Sequence, residues 1–280
     1  MIKINPDEFK VISRYVHGLT GIFLEEGKAY LVETRLSSLL TELGCASYSE
    51  LYYRAKADVT RTIDKRIIDA ITTNETLFFR DTSPFELLQH KILPDLIDKR
   101  TSKASSLLPI NIRIWSAACS SGQELYSIAI VLKELLPDIK KYNLRLLGTD
   151  ISDAAISRAS YGEFNKFEME RGLPKEKLLK YFEPQGDKWK VKDELRAMVT
   201  FRKQNLMEPF VGMGKFDIIF CRNVAIYFTQ EDKARLFHKI VDVLEPDGYL
   251  IIGSSESLAA SSARFESKRY LRAVFYQLKT

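Results

Sequence analysis

Between residues 5 and 73 the apolar positions recur at helical spacing. Phe9, Ile12, Tyr15, Val16 and Leu19 form one stripe, and Leu31, Leu36, Leu39, Leu40 and Leu43 form a second that stops at Gly44. Ser49 stands where it can cap a third helix, and Ile63, Ile67, Ile68 and Ile71 mark a fourth. Short helices joined by short turns predict a small bundle. The pattern changes after residue 73. A helix is predicted over 85–98, followed by a polar, turn-rich connector, TSKASSLLP (101–109). Apolar strands IRIWSA (112–117), LRLLGTD (144–150), VTF (199–201), FDIIFC (216–221) and YLIIG (249–253) then alternate with helical patterns over 123–136, 152–160 and 230–244. That alternation predicts a mostly parallel sheet with helices on both faces. FESK (265–268) and AVFYQL (273–278) have no helix between them and predict an antiparallel hairpin at one edge. The polar segment 161–198, containing EPQGDKWKVKDELRAM, interrupts the alternation. It reads as an inserted subdomain with a short hairpin around Trp189.

The expected organisation is a helical domain over 1–73, a junction and linker over 74–111, and an α/β domain over 112–280 with a small β-subdomain inserted at about 161–198. A chain of 280 residues suits one large domain and a small one. With 45% hydrophobic and 28% charged residues the chemistry is that of a soluble globular protein. A net charge of +5 does not by itself indicate a nucleic-acid partner, and none is expected. Cys45, Cys119 and Cys221 are far apart and form no CxxC pair, which points to a reducing compartment. MIKINPDEFK has no signal-peptide core, and no run of about 18 apolar residues occurs. The expected location is therefore the cytoplasm, without membrane insertion. His17, His90 and His238 share no metal-ligand spacing, so no metal site is expected.

In doubly wound sheets the ligand lies beyond the carboxyl ends of the strands, so the residues that follow each strand are the candidates. SAACSSGQE (116–124) is a run of small residues entering a helix, where a ligand can approach the backbone and free N–H groups are on offer. Gly122 is its single glycine. The pattern is not GxGxxG, which argues against a dinucleotide, and a plain strand-to-helix turn is the alternative. Asp150, closing GTDIS, suits ribose hydroxyls or an N-cap. Asn205, followed by Leu206, suits an adenine edge or an exposed loop. Arg222, Asn223 and Tyr227 follow FDIIFC, and Tyr227 can equally be a packing aromatic beside Phe228. Together these positions describe a nucleoside-sized ligand without a diphosphate. Asn74, Glu75, Thr76 and Arg80 flank Phe78 and Phe79 at the domain junction, where they could line a cleft or form an exposed helix cap over two core phenylalanines.

NETLFFR (74–80), IRIWSAACSSGQELYSIAI (112–130), GTDIS (148–152), QNL (204–206), FDIIFCRNVAIYF (216–228) and LEPDGYLIIGSSESL (244–258), taken in this order, resemble the CheR-type chemotaxis receptor methyltransferases over nearly the whole chain. The resemblance implies a Rossmann-like class I methyltransferase domain, an N-terminal all-α domain and a small inserted β-subdomain. It implies S-adenosyl-L-methionine as methyl donor, S-adenosyl-L-homocysteine as product, and glutamate side chains on the cytoplasmic helices of a chemotaxis receptor as acceptors. It places Asn74, Thr76, Arg80, Glu124, Asp150, Asn205, Leu206, Arg222 and Asn223 around the donor, and Arg80 and Tyr227 beside the transferring methyl. Gln123 and Leu125 stand where the family usually has an acid and a proline; Glu124 keeps the second acid. The inserted segment lacks the glycine-rich turn of members that grip a receptor tail, so tight tail-peptide binding is not expected.

A carboxylate acceptor needs no general base, because its pKa of about 4.3 leaves it ionised at neutral pH. Catalysis then rests on alignment, with Arg80 as a fork for the carboxylate and Tyr227 orienting one oxygen. Residues 1–73 carry ten Lys and Arg against ten Asp and Glu. Arg54, Lys56, Arg61, Lys65 and Arg66 make a local excess that is either a receptor-docking surface or a solvated face, with Lys28 and Arg35 as the other candidate patch. Rival readings are a methyltransferase of another substrate class, a nucleoside-sensing module without catalysis, and a nicotinamide dehydrogenase, the last disfavoured by the missing glycines.

Overall fold

A computed structural model describes residues 2–103, 109–258 and 263–279. The first four helices are α1 (Pro6–Thr20), α2 (Ala29–Leu43), α3 (Tyr48–Ala57) and α4 (Thr62–Ile71). Asn5 opens α1 with a capping box: its side chain accepts from Glu8 N at 2.9 Å, and Glu8 Oε2 accepts from Asn5 N at 3.2 Å. Phe9, Ile12 and Val16 bury their stripe against Val32, Leu36, Leu39 and Leu40 of α2 and Ile67 and Ile71 of α4. The cap of α3 is Ser47, not Ser49: Ser47 Oγ accepts from Glu50 N at 3.2 Å. Ser49 N donates to Glu8 Oε1 at 3.1 Å, so this helix start is tied to α1 by a long-range contact that no local pattern shows.

Segment 73–82 is irregular, so its reading as a helix cap is overturned. Phe78 is fully buried, packed edge-on against Phe164 and Phe182 at 5.0 and 5.4 Å between centroids. The predicted helix over 85–98 is longer. It runs as α5 (Ser83–Leu87), a π turn (Leu88–Ile92) and α6 (Leu93–Lys103). Residues 101–103 of the predicted connector continue α6, and 104–108 lie outside the described residues.

The main sheet contains β1 (Ile110–Ala117), β2 (Tyr142–Asp150), β6 (Val199–Lys203), β7 (Phe216–Cys221), β8 (Leu244–Ile252), β9 (Phe265–Tyr270) and β10 (Ala273–Leu278). Its order is β6-β2-β1-β7-β8-β10-β9. The first five strands are mutually parallel, and β10 is antiparallel to both neighbours, which is the expected edge hairpin. The chain winds outward from β1 to β6 and then returns to β7, so the switch point lies between β1 and β7. The flanking helices are α7 (Gln123–Leu135), α8 (Asp153–Tyr161) and α12 (Gln230–Val243). Between α8 and β6 lie β3 (Glu163–Asn165), α9 (Lys166–Glu170), α10 (Lys175–Tyr181), β4 (Phe182–Gln185), β5 (Lys188–Val191) and α11 (Asp193–Arg196). Strands β3-β5-β4 form a separate antiparallel sheet, which includes the predicted hairpin around Trp189. Among the described residues no helix is long and apolar enough to cross a membrane.

At the edge of the sheet away from the switch-point loops, Arg100 of α6 ties adjacent strands together. It donates to Asp217 Oδ1 of β7 at 2.7 Å and to both oxygens of Asp247 of β8 at 2.7 and 2.9 Å. Asp217 Oδ2 also accepts from Arg113 N of β1 at 2.8 Å. Hydrogen bonds from Arg100, working against burial, hold the Asp247 carboxyl below the usual carboxylate range. Removing the guanidinium leaves largely buried carboxylates without their cation. Arg100→Leu should therefore destabilise the protein by about 3 kcal/mol at neutral pH in chemical denaturation. A carboxyl with a lowered folded-state pKa contributes stability above its unfolded value, about 3.9, and loses that stability as pH falls further. The wild-type protein should thus lose more stability than the variant on acidification below about pH 4, and parallel acid slopes would refute this account.

Candidate functional site

Beyond the carboxyl ends of β1, β2, β6 and β7, and roofed by the helical module, lies a cleft. Asn74, Thr76, Arg80, Glu124, Asp150, Asn205, Leu206, Arg222, Asn223 and Tyr227 all line it. They come from widely separated parts of the chain and are brought together because each follows a strand end or the junction segment.

The turn after β1 gives the floor. Ala118 and Ser120 have φ of 58° and 51°, and Gly122 has φ of 93°. Phe79, Asp81 and Asn223 also adopt the left-handed region around the same cleft. A left-handed conformation is costly for residues with a Cβ and persists where surrounding contacts impose it. Ala118, Cys119 and Ser120 line the cleft and leave the backbone close to its space. Gly122 plays a different part: a Cβ there would lie 3.0 Å from Ala159 Cβ and 3.1 Å from Phe201 Cζ, so it serves packing against α8 and β6.

Asp150 is buried at the end of β2. Its Oδ2 accepts from Ser120 N at 2.8 Å and its Oδ1 from Ser152 N at 3.0 Å. Burial raises its pKa, and those N–H bonds act in the other direction. It does not cap α8. Ser152 does so, accepting from Ala155 N at 3.0 Å and donating to Asp69 Oδ1 of the helical module at 2.7 Å.

Arg222 follows β7 and its side chain is 1% exposed. It donates to Glu124 Oε2 at 2.8 Å, to Asp81 Oδ2 at 2.9 Å and to Arg80 O at 2.8 Å. Glu124 Oε1 also accepts from Ser116 Oγ at 2.7 Å. Much of the polar capacity of this pair thus holds β1, α7, β7 and the junction together, while among the described residues Arg222 Nε is buried without a partner. Asn205 is similarly committed: Nδ2 donates to Leu19 O at 2.9 Å and Oδ1 accepts from Met207 N at 2.9 Å. Arg80 donates to Glu75 O at 3.2 Å, and among the described residues it forms no ion pair.

The helical module supplies Thr20, Ile22, Thr72 and Thr73 to the cleft wall, none of which the sequence singled out. Phe23 N donates to Tyr227 O at 2.9 Å. His17 Nε2 lies 2.8 Å from Asp232 Oδ2 at the start of α12. Burial works against the Asp232 charge, but hydrogen bonds from Thr229, His17 and Arg235 bring its pKa down to about 2. Lys239 of α12 donates to Leu206 O and Glu208 O and so holds the loop that follows β6. Glu256, three residues past Gly253, accepts from Asn223 N and Gly253 N at 2.7 Å each. Asp81, Lys239 and Glu256 carried no local signal, because the groups that need them are distant in sequence.

The donor set suits a nucleoside with a charged tail better than a dinucleotide. There is one buried acid at a strand end, a small-residue floor without a glycine-rich diphosphate turn, and apolar walls from Ile151, Leu206, Val224 and Phe228. Burial pushes the Cys119 and Cys221 thiols well above their ordinary range, so neither is a ready thiolate.

Comparison with known proteins agrees with this geometry. Residues 74–273 match the S-adenosylmethionine-binding domain of the CheR methyltransferases, and residues 7–72 match the all-alpha domain of the same family. The chain is 42% identical over 99% of both lengths to a chemotaxis protein methyltransferase of Vibrio parahaemolyticus. It is 38% identical to the chemotaxis protein methyltransferase Cher2 of Pseudomonas putida, over 97% of this chain and 98% of that one. With a chemotaxis protein methyltransferase of Borreliella burgdorferi it shares 41% identity over 92% of this chain and 90% of the other. The cofactor is S-adenosylmethionine, and the chain belongs to the CheR methyltransferase family.

Proposed function

We propose that this protein methylates glutamate side chains of chemotaxis receptors in the cytoplasm, forming methyl esters. The observation that carries the reading is a cleft at the switch point, with buried Asp150 at a strand end and Arg80 and Tyr227 on its wall. The names of its relatives supply the class of target. When bound, S-adenosylmethionine offers an electrophilic methyl on a sulfonium and leaves as S-adenosylhomocysteine. Asp150 receives the ribose hydroxyls, its carboxylate held in place by Ser120 N and Ser152 N. Leu206 and Phe228, both on the cleft wall, would hold the base, and Asn205 ties the Leu206 loop to α1. Asn74, Thr76 and Asn223 complete the polar lining, and the Arg222–Glu124 pair fixes the floor on which the donor rests. The Arg80 fork aligns the acceptor carboxylate, and the Tyr227 hydroxyl orients one of its oxygens. Both reacting groups lose charge as the methyl moves, so strong solvation of the reactants would slow the reaction and alignment is the main source of rate.

Recruitment through Arg54, Arg66 or Arg35 finds little support. Arg54 binds Leu43 O and Glu50, Arg66 pairs with Glu42, and Arg35 reaches Thr72 O at 2.6 Å. Arg61 pairs with Asp64. Arg14 and Lys56 line a groove between α1 and α3 with Tyr15, Tyr52 and Tyr53, and Lys28 forms no ion pair among the described residues. In the inserted sheet, the edge strand β4 carries Pro184, which has no N–H for an added strand.

Incubation with labelled donor and receptor membranes should give a product that releases methanol in alkali; an alkali-stable product would refute ester formation. Asp150→Asn keeps one carbonyl acceptor for the backbone N–H groups but loses the charge. Its donor affinity should fall about ten- to a hundred-fold by calorimetry, and unchanged affinity would remove Asp150 from the ribose site. Arg80→Ala and Tyr227→Phe should lower turnover more than donor affinity, with Arg80→Lys only a partial rescue because it lacks the fork. Wild-type turnover in either variant at saturating substrate would discard that role. A receptor C-terminal peptide should show no saturable binding at micromolar concentrations, and tight binding would return the tail-capture role to the subdomain.

A further inference from the structure

We propose that Glu256 is a positioning residue for methyl transfer, clamping the turn that presents Tyr227. The proposal deepens the reading of the cleft given above and rests on it. The last paired residues of β7 and β8 are Cys221 and Ile252. Beyond them the two chains diverge, and the N–H groups of Asn223 and Gly253 have passed the end of the ladder. Buried amide groups need an acceptor. Glu256 Oε2 supplies it to both at 2.7 Å, the short length of charge-assisted bonds. Glu256 N in turn donates to Gly253 O at 3.0 Å, closing the loop upon itself.

The consequence reaches Tyr227 through a short segment. Asn223 is held at φ 57°, and the chain passes directly into a single helical turn at Ala225–Tyr227. Tyr227 N donates to Val224 O at 3.2 Å, and Phe228 N to Ala225 O at 3.1 Å. On its other side Tyr227 O accepts from Phe23 N. Tyr227 is thus fixed between the helical module in front and the Glu256 clamp behind. Gly253 shows how little room the clamp has. A Cβ there would stand 2.6 Å from Glu256 Oε2, 2.8 Å from Asn223 Nδ2 and 3.1 Å from Asn223 N. Its φ is not in the left-handed region, so the crowding at this point is steric, and it falls on the Glu256 carboxylate and Asn223 that form the clamp. Among the described residues Glu256 Oε1 is buried without a hydrogen-bond partner, a cost expected where geometry rather than local stability decides the residue.

The test uses the full-length chain and three variants. In Glu256→Ala, turnover on receptor membranes should fall about 10- to 100-fold, as expected for a small displacement of an aligning group, while donor affinity changes much less. Glu256→Gln retains a carbonyl oxygen that can accept both N–H groups and should restore most of that turnover. Gly253→Ala, which displaces the carboxylate from outside, should behave as Glu256→Ala. Hydrogen exchange of the amides of residues 223–228 should quicken in Glu256→Ala and return toward wild type in Glu256→Gln. This readout does not depend on what the protein methylates. An inactive wild-type protein would refute the proposed reaction, whereas the exchange pattern judges the clamp alone. Unchanged exchange at 223–228 in Glu256→Ala would overturn the proposal. So would wild-type turnover in that variant, or a parallel loss of turnover and donor affinity that Glu256→Gln does not relieve.

Discussion

Arg222 carries a charge that the fold has withdrawn almost entirely from water. A guanidinium so placed must be matched by partners, because leaving it alone costs several kcal/mol. The partners it takes come from three separate parts of the chain: Glu124 at the start of α7, Asp81 beyond the junction, and the carbonyl of Arg80. Satisfying one buried cation therefore sets the position of the β1–α7 turn, the end of β7 and the segment linking the two modules. Those three elements form most of the cleft. Arg80 has its backbone pinned by Arg222, which leaves its own guanidinium directed by a short and well-anchored loop.

The cleft belongs to neither module alone. Leu19 O receives Asn205 Nδ2, Phe23 N reaches Tyr227 O, His17 meets Asp232, and Asp69 receives Ser152 Oγ. Each contact joins the helical bundle to a loop at the carboxyl edge of the sheet. The bundle thus roofs the cleft as well as forming a unit with its own core. Five residues with a Cβ, namely Phe79, Asp81, Ala118, Ser120 and Asn223, are held in the left-handed region around this junction. Strain concentrated where ligand and backbone approach closely is what a preorganised site looks like.

The chemistry proposed for the site fits what the cleft contains. Transfer of a methyl group to an ionised carboxylate requires no proton acceptor, and the groups proposed for the acceptor side are a fork of donors and a phenol. A site of this kind gains rate by fixing distance and direction, so the residues that hold Arg80 and Tyr227 in place matter as much as the two side chains themselves.

The sequence by itself determined the periodicities, and with them the helical bundle, the parallel sheet and the closing hairpin, because burial of one face imposes a repeat of 3.6 or 2 on the apolar residues. It also marked the cleft residues that follow strands, since ligands gather at strand ends and those ends are visible as the last residue of each apolar run, while the wall supplied by Thr20, Ile22, Thr72 and Thr73 went unmarked. What only tertiary structure decided is how each polar group is used. Asp150 reads equally as a cap or a ligand group, and the presence of Ser152 at the cap position excludes the first of these. Glu124 and Arg222 read as two independent site residues, yet they pair with each other. Asn205 reads as free to meet a base, yet its amide bridges to Leu19, which is distant in sequence. The irregular path of 73–82, the capping of α3 by Ser47 and the double bond to Glu256 have the same origin. A hydrogen bond is short-ranged and directional, so its partner is set by which atoms the fold brings within about 3 Å, and no local pattern of residue types encodes that distance.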